Sequence, residues 1–227
     1  MLIKAFRRTL AQLPEPAFRT VVYKSVLLTL VIFAALTAVF VWARPDVTIF
    51  EWQWLNDVAE VGGTLAFFAV LVLAFSTLAT LIGGIFLDDV AEAVEQRYYA
   101  GDPPGRSADF SQTFVLSLRF IAVTLLLNLV VLPVYLIALF FPPLFAFIFY
   151  GLNGYLLSRE YFELVSIRHM DAKSARQLRK ANRFSVFPAG VVIAFFVTIP
   201  VVNLFVPILA TAFMLHIFKG LQARAAI

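Results

Sequence analysis

The stretch that decides the fold is residues 120–158, FIAVTLLLNLVVLPVYLIALFFPPLFAFIFYGLNGYLLS, in which no Asp, Glu, Lys or Arg occurs. As one straight helix, these 39 residues would extend about 58 Å, twice the roughly 30 Å hydrocarbon core of a bilayer. Prolines interrupt the run near its middle, from Pro133 to Pro143. The arms outside that corner, 120–132 and 144–158, would reach only about 20 and 22 Å. This predicts a helical hairpin that turns inside the membrane.

Three further runs lack charged residues. Residues 184–218 are again too long for one crossing and are broken at Pro200 and Pro207. Residues 25–43 and 61–86 each have a length that suits a single crossing. The chain therefore carries two runs that predict simple spans and two that predict hairpins.

Together the four runs predict an all-α integral membrane protein with a single membrane domain, residues 1–227. The two shorter runs form two long transmembrane helices, and two hemi-penetrating (re-entrant) helical hairpins occupy 113–158 and 184–218. The alternative replaces each hairpin by two ordinary spans joined by an apolar tight turn. A corner at membrane depth must be buried against protein or line a wet cavity. The hairpins therefore predict a compact bundle that forms an oligomer, and glycine pairs at 62–63 and 83–84 predict close helix packing.

Composition and charge placement agree with a membrane protein. Of all residues, 62% are hydrophobic, and the mean hydropathy is +0.90. All but Arg44 of the 18 Lys and Arg residues fall on one side of the predicted membrane, chiefly in 1–24 and 159–183. The positive-inside rule therefore predicts that both termini are cytoplasmic. The net charge of +4 reflects this topology, and no nucleic-acid partner is predicted.

Two short helices are predicted outside the apolar runs. Leu87, Val90 and Val94 recur at helical spacing, so the helix after the second span continues beyond the membrane. Asp171 is placed to cap a short basic helix that ends near Asn182.

The inventory of reactive residues excludes most enzyme classes. There is no cysteine, and the sequence contains no phosphate-binding loop or hydrolase signature. His169 and His216 do not have the spacing of metal ligands, so no catalytic residue, metal or cofactor is predicted. His216, near the end of the last apolar run, is interpreted as an interfacial histidine. Because the runs hold no carboxylate, any transport is predicted to be channel-like or weakly coupled.

One segment, PEPAFRT at residues 14–20, contains groups that could bind a ligand. Proline is tolerated in the first turn of a helix, so a helix that begins near Pro16 would leave free amides at Ala17, Phe18 and Arg19. Those amides, the positive end of the helix dipole and the Arg19 guanidinium are suited to binding an anion. The alternative is an arginine beside the membrane that contacts lipid phosphates.

Three segments carry a resemblance to a known family. Residues Ile199 to Met214, IPVVNLFVPILATAFM, resemble the last hairpin of the CysZ sulfate permeases, which are related to the eukaryotic etoposide-induced proteins. The segment from Gly151 to Val165 is similar to the part that follows the first hairpin. Residues 86–95, FLDDVAEAVE, are similar to the helix extension of bacterial members. The resemblance spans nearly the whole chain, and the hairpin Ile-Pro-x-x-Asn-Leu is its most specific part.

The resemblance implies a site at the start of the first span. In the family, a Pro-Gly-hydrophobic-Arg-Arg element binds sulfate there, and Pro16-Ala-Phe-Arg-Thr takes that place in this chain. Arg19 matches the first arginine, Ala17 replaces the glycine, and Thr20 replaces the second arginine. The expected anion (sulfate) site therefore comprises Ala17, Phe18, Arg19 and Thr20, with one positive charge fewer than the family pattern.

The resemblance also implies a function and a location. It implies a permease of the bacterial inner membrane that transports sulfate for sulfur assimilation and cysteine biosynthesis and assembles as a homodimer or higher homo-oligomer among membrane lipids. The alternative is a membrane scaffold protein of the same family without transport activity, as some eukaryotic relatives suggest. Under either alternative, the protein is not expected to be an enzyme.

Overall fold

The computed structural model describes residues 1–42, 52–58, 60–68, 86–106, 110–203 and 205–225, and all the regular elements of these ranges are helices, as predicted. The labelled helices are α1 (Leu2–Gln12), α2 (Pro16–Trp42), α3 (Leu87–Tyr98), α4 (Phe110–Ala138), α5 (Pro142–Ser166), α6 (Ala172–Ala181), α7 (Arg183–Val197), α8 (Pro200–Asn203) and α9 (Val206–Ala225). Residues 53–58 and 60–68 are helical as well. Most of the second predicted span, 61–86, lies outside the described residues.

Helix α9 lies at the centre of the fold. Its side chains are buried along most of its length, and α1, α3, α5 and α7 all pack against it. A helix that is apolar around its circumference is stable only when it is covered on all sides. Phe162 of α5 and Phe218 of α9, both fully buried, meet edge to face in this core with ring centroids 6.0 Å apart.

Within the part of the chain that the structure describes, three helices are long and apolar enough to cross a membrane: Arg19–Trp42 in α2, Phe120–Ala138 in α4 and Val206–Arg224 in α9. The protein itself covers 78% of the apolar segment in α9 but none of the segments in α2 and α4. Most of the large apolar side chains exposed on α2 and α4 are leucine, valine and isoleucine, which suit contact with lipid. Helices α6 and α7 meet at 93° and form a fourth span if they are counted together.

The first hairpin has longer arms than the sequence suggested. Pro133 lies inside α4, and the turn between α4 and α5 comprises only Leu139, Phe140 and Phe141. With 29 and 25 residues, the two helices extend about 43 and 37 Å. The expected arm lengths of about 20 and 22 Å were therefore wrong, because proline kinks a membrane helix without ending it. Length alone does not force this hairpin to turn inside the membrane.

The second hairpin breaks at the predicted proline. Helix α7 has 15 residues, about 22 Å, and ends before Pro200, which begins the short helix α8. At this helix end the Phe195 carbonyl accepts hydrogen bonds from both the hydroxyl and the amide of Thr198, at 2.6 and 3.1 Å. Since α7 is too short to cross a hydrocarbon core of about 30 Å, its length suits a helix that enters the membrane part-way.

Glycines allow α5 and α7 to pack closely. A Cβ added to Gly190 of α7 would lie 2.0 Å from the Gly154 carbonyl oxygen of α5, and one added to Gly154 would lie 2.6 Å from Val191. These two backbones therefore touch directly. The prediction of close helix packing at two other glycine pairs was wrong for the first of them, because a Cβ added to Gly62 or Gly63 would have no neighbouring atom within 4 Å. The second pair, 83–84, lies outside the described residues.

The structure contains a helix at both places predicted outside the apolar runs, but Phe86 lies in a turn, and the preceding residues 69–85, through which the second span would continue into α3, lie outside the described residues. Helix α3 begins at Leu87 and buries Leu87, Val90 and Val94. The Asp171 carboxylate accepts hydrogen bonds from the amides of Lys173 and Ser174 at 2.9 and 3.0 Å, and so caps α6. These local signals could be read from the sequence because each depends on a few neighbouring residues.

Candidate functional site

The segment singled out for anion binding forms the first turn of α2. Helix α2 begins at Pro16, where the missing proline N–H removes no helix hydrogen bond. Arg19 is exposed on this turn. Its guanidinium Nη2 donates to the Tyr23 hydroxyl at 3.2 Å and lies 5.8 Å from the Tyr23 ring centroid. The guanidinium has five N–H donors, so this contact leaves others free to bind a ligand.

Two of the expected donors are engaged elsewhere. The Arg19 amide donates to the Glu15 carbonyl at 3.0 Å, which corrects the expectation that it is free. The Thr20 hydroxyl donates its proton to the Pro16 carbonyl at 2.8 Å, so it does not replace the missing second arginine as a donor. Ala17 and Phe18 lie in the same helical turn, and their side chains are outside the described part of the chain. The site is thus centred on one guanidinium.

An apolar cavity of about 520 Å³ opens beside Arg19. It lies between α1, the first turns of α2, and helices α7 and α9 with the residues that join them. Its walls are formed by aromatic and aliphatic side chains that include Phe6, Leu10, Phe196 and Phe213. Arg19 and Tyr23 stand at this cavity, so the candidate anion ligand adjoins an apolar chamber.

A second polar centre joins α3 to the end of α5 and is referred to as the Glu95 cluster, which comprises Asp88, Glu95, Gly105, Arg168 and His169. Glu95 accepts from His169 Nε2 at 2.9 Å and from the Gly105 amide at 3.1 Å, and lies 3.5 Å from Arg168 Nη2. Arg168 also pairs with Asp88. Burial alone would raise the pKa of Glu95, but the hydrogen bonds and the Arg168 charge outweigh it and lower the pKa to about 2.

Acid is expected to weaken the Glu95 cluster. Because the pKa of folded Glu95 is about 2, below its ordinary 4.5, its stabilisation is complete above about pH 4.5 and is lost as the pH falls toward 2. Glu95→Gln should therefore lower the free energy of unfolding at pH 7 by up to about 3 kcal/mol, and by much less at pH 3. Denaturant unfolding at both pH values measures this. The exposed Glu92→Gln on the same helix is the matched control, and equal losses in both variants would contradict the assignment.

A third polar centre lies between α5 and α6. Arg159 Nε and Arg179 Nη2 each lie 3.4 Å from the same oxygen of Glu163, and all three side chains are at least 88% buried. Two guanidiniums thus share one carboxylate. In the described residues, the buried Nε atoms of Arg176 and Arg179 have no hydrogen-bond partner. Burial raises the pKa of Glu160, which lies between Arg159 and Glu163 on α5, to about 7.

His216 is buried in the protein instead of lying at an interface. Only 3% of it is exposed, its Nδ1 lies 2.8 Å from the Tyr99 hydroxyl, and its ring packs edge-on against Tyr98. The interpretation as an interfacial histidine was therefore wrong, because α9 is the central helix of the fold. Neighbouring Lys219 pairs with Asp102 at 3.0 Å. Across the described ranges, no group of three His, Asp or Glu side chains is placed to hold a metal ion.

An all-helical chain with long apolar helices exposed on its surface is an integral membrane protein. Residues 5–207 match the family described as Sulfate transporter CysZ/Etoposide-induced protein 2.4, and the chain belongs to this family. The family is one of transporters and not of enzymes. The match includes α1 from Ala5 onward, the Arg19 turn, both hairpin corners, the Glu95 cluster and the polar centre around Glu163. Among curated proteins, none matches the chain significantly.

Proposed function

We propose that this protein transports sulfate across the bacterial inner membrane and so supplies sulfur assimilation and cysteine biosynthesis. The observation that carries the proposal is the family match, which covers residues 5–207 and therefore the helices from α2 to α8, although it ends at the start of α9. The exposed guanidinium of Arg19 at the start of α2 supports it, since a free cation at a helix N-terminus attracts an oxyanion.

In this proposal Arg19 is the principal ligand of sulfate, and the first turn of α2, with Ala17 and Phe18, contributes its dipole and its amides. Thr20 shapes the turn through its bond to Pro16 and does not donate to the anion. Both termini lie in the cytoplasm, because the basic segments 1–24 and 159–183 are then inside. No catalytic step is involved, and the protein is not an enzyme.

The proposed transport is channel-like or weakly coupled, because the apolar runs contain no carboxylate to carry a proton. The proposed assembly is a homodimer or higher homo-oligomer. The apolar faces of α2 and α4, which the protein itself leaves uncovered, are available to membrane lipids and to a second copy of the chain.

Sulfate flux into liposomes tests the proposal. Vesicles that contain only the purified protein are expected to take up labelled sulfate along its gradient, faster than protein-free vesicles. Arg19→Ala should slow uptake strongly, and Lys24→Ala, another exposed cation of α2, should not. Absence of sulfate flux would overturn the proposal in favour of a non-transporting scaffold. Uphill accumulation driven by a pH gradient alone, at clamped membrane potential, would overturn passive transport.

A further inference from the structure

The cavity beside Arg19 is built for an apolar ligand. Its volume of about 520 Å³ falls within the roughly 300–1,000 Å³ range of ligand pockets. Phe6, Leu10 and Leu13 line one side, and Phe196, Phe205 and Leu209 line the other. Leu10 and Leu13 remain 44% and 40% exposed, so the cavity opens to the surface along α1.

The polar atoms around this cavity do not suit a small hydrated ion in its interior. Among the described lining residues, Thr9 and Tyr23 are the uncharged polar ones. The Thr9 hydroxyl donates to the Ala5 carbonyl at 3.0 Å, and the Tyr23 hydroxyl accepts from Arg19. Of these lining residues Arg19 alone carries a charge, and it is exposed. The arrangement is an apolar chamber with a single cation at its edge.

Helix α1, which lines one side of the cavity, carries its basic residues on the opposite face. It is amphipathic: Phe6 and Leu10 face the cavity, whereas Lys4 and Arg7 are exposed to solvent. A helix of this kind lies in the plane of the membrane interface with its basic residues among the headgroups. Basic residues at that depth attract anionic lipids. At the cavity itself, Arg19 is the charged lining residue that complements an anionic headgroup.

We propose that this cavity binds an anionic phospholipid, with one acyl chain in the apolar chamber and the phosphate on Arg19. A phosphodiester carries one negative charge, which the single Arg19 guanidinium balances. The lipid shares Arg19 with the proposed sulfate site. Lipid phosphate and sulfate therefore compete for this side chain, and membrane composition regulates anion binding.

Native mass spectrometry of the full-length protein tests the lipid site. The probes are phosphatidylglycerol, which is anionic, and phosphatidylcholine of the same chain length, which is zwitterionic, each titrated onto delipidated protein. We expect one phosphatidylglycerol to bind about tenfold more tightly than phosphatidylcholine. Arg19→Gln should abolish that preference. The matched control Lys24→Gln, an exposed cation of α2 outside the cavity lining, should retain it.

A second variant tests the chamber itself. Ala210 is 98% buried and lines the cavity. In Ala210→Phe the larger side chain should fill the space of the acyl chain, so we expect the affinity for both lipids to fall. Two results would overturn the proposal, whether or not Ala210→Phe folds. One is equal affinity of the wild-type protein for the two lipids. The other is an equal loss of the preference for phosphatidylglycerol in Arg19→Gln and Lys24→Gln. Sulfate flux is scored separately: selective lipid binding without flux refutes only the transport function, and flux without selective lipid binding refutes only the lipid site.

Discussion

Gly190→Ala is expected to lower the thermal unfolding midpoint of the detergent-solubilised protein markedly. The new Cβ would lie 2.0 Å from the Gly154 carbonyl oxygen and 2.5 Å from the Ser158 Cβ, distances that no side-chain rotation relieves. Helices α5 and α7 must therefore move apart, and the core that they share with α9 loses contacts. Overpacking of this kind typically costs about 1–3 kcal/mol, and a clash with backbone lies at the upper end. Circular dichroism at 222 nm during heating measures the change.

The matched control is Gly151→Ala on α5. A Cβ at Gly151 has nothing within 4 Å, so this substitution adds helix propensity without a clash. We expect it to leave the unfolding midpoint unchanged or to raise it. If Gly190→Ala and Gly151→Ala have the same midpoint, the close contact between α5 and α7 does not hold these helices together.

Arg19→Ala is expected to weaken equilibrium binding of labelled sulfate by about 10- to 150-fold. A charge-assisted hydrogen bond contributes ~1.5–3 kcal/mol, and each ~1.4 kcal/mol corresponds to a factor of ten. Since Arg19 is exposed and contacts chiefly Tyr23, its loss should leave folding and membrane insertion intact. Arg19→Lys should restore binding only in part, because an ammonium lacks the planar fork of the guanidinium.

Thr20→Arg provides the converse test. The threonine hydroxyl bonds back to Pro16 and offers no donor, so an arginine at this position adds a charge that the turn lacks. Sulfate affinity should therefore rise above that of the wild-type protein. Unchanged affinity in both Arg19→Ala and Thr20→Arg would place the sulfate site elsewhere in the chain.

The sequence predicted the features that depend on local chemistry. The runs without charged residues predicted a membrane protein, Pro200 predicted the helix break after α7, and Asp171 predicted the N-cap of α6. Each of these follows from a few consecutive residues. Pro133 was misread for a related reason: proline marks the end of a helix in water, whereas neighbouring groups in a membrane protein can accommodate it inside one.

Contacts between distant parts of the chain could not be predicted. Arg168 meets Asp88 across 80 positions, and Gly190 meets Gly154 across 36, so neither pair produces a pattern within one window. His216 was placed at an interface because nothing local shows that α9 is central. One missed feature did leave a signal: Arg159 and Glu163 have the spacing of an ion pair on one helix face directly after an apolar run.

For the candidate site, the sequence identified Arg19 and the start of α2, and the structure supplied the rest. Position Thr20 could be recognised as different from the family pattern, but its bond to Pro16 depends on the hydroxyl's orientation. The cavity could not be foreseen, because its walls come from α1 and from helices nearly 200 residues later.

The central position of α9 has a consequence for how the protein is made. Translation proceeds from the N-terminus, so α9, at Val206–Ala225, leaves the ribosome after α1, α3, α5 and α7, which all pack on it. Until then those helices have no common partner, and their apolar faces stay in contact with lipid or with the insertion machinery. The part of the core around α9 therefore forms only after synthesis has passed residue 225, and a ribosome stalled before α9 would leave α1 and α3 without this partner, whereas α5 and α7 could still pack on each other.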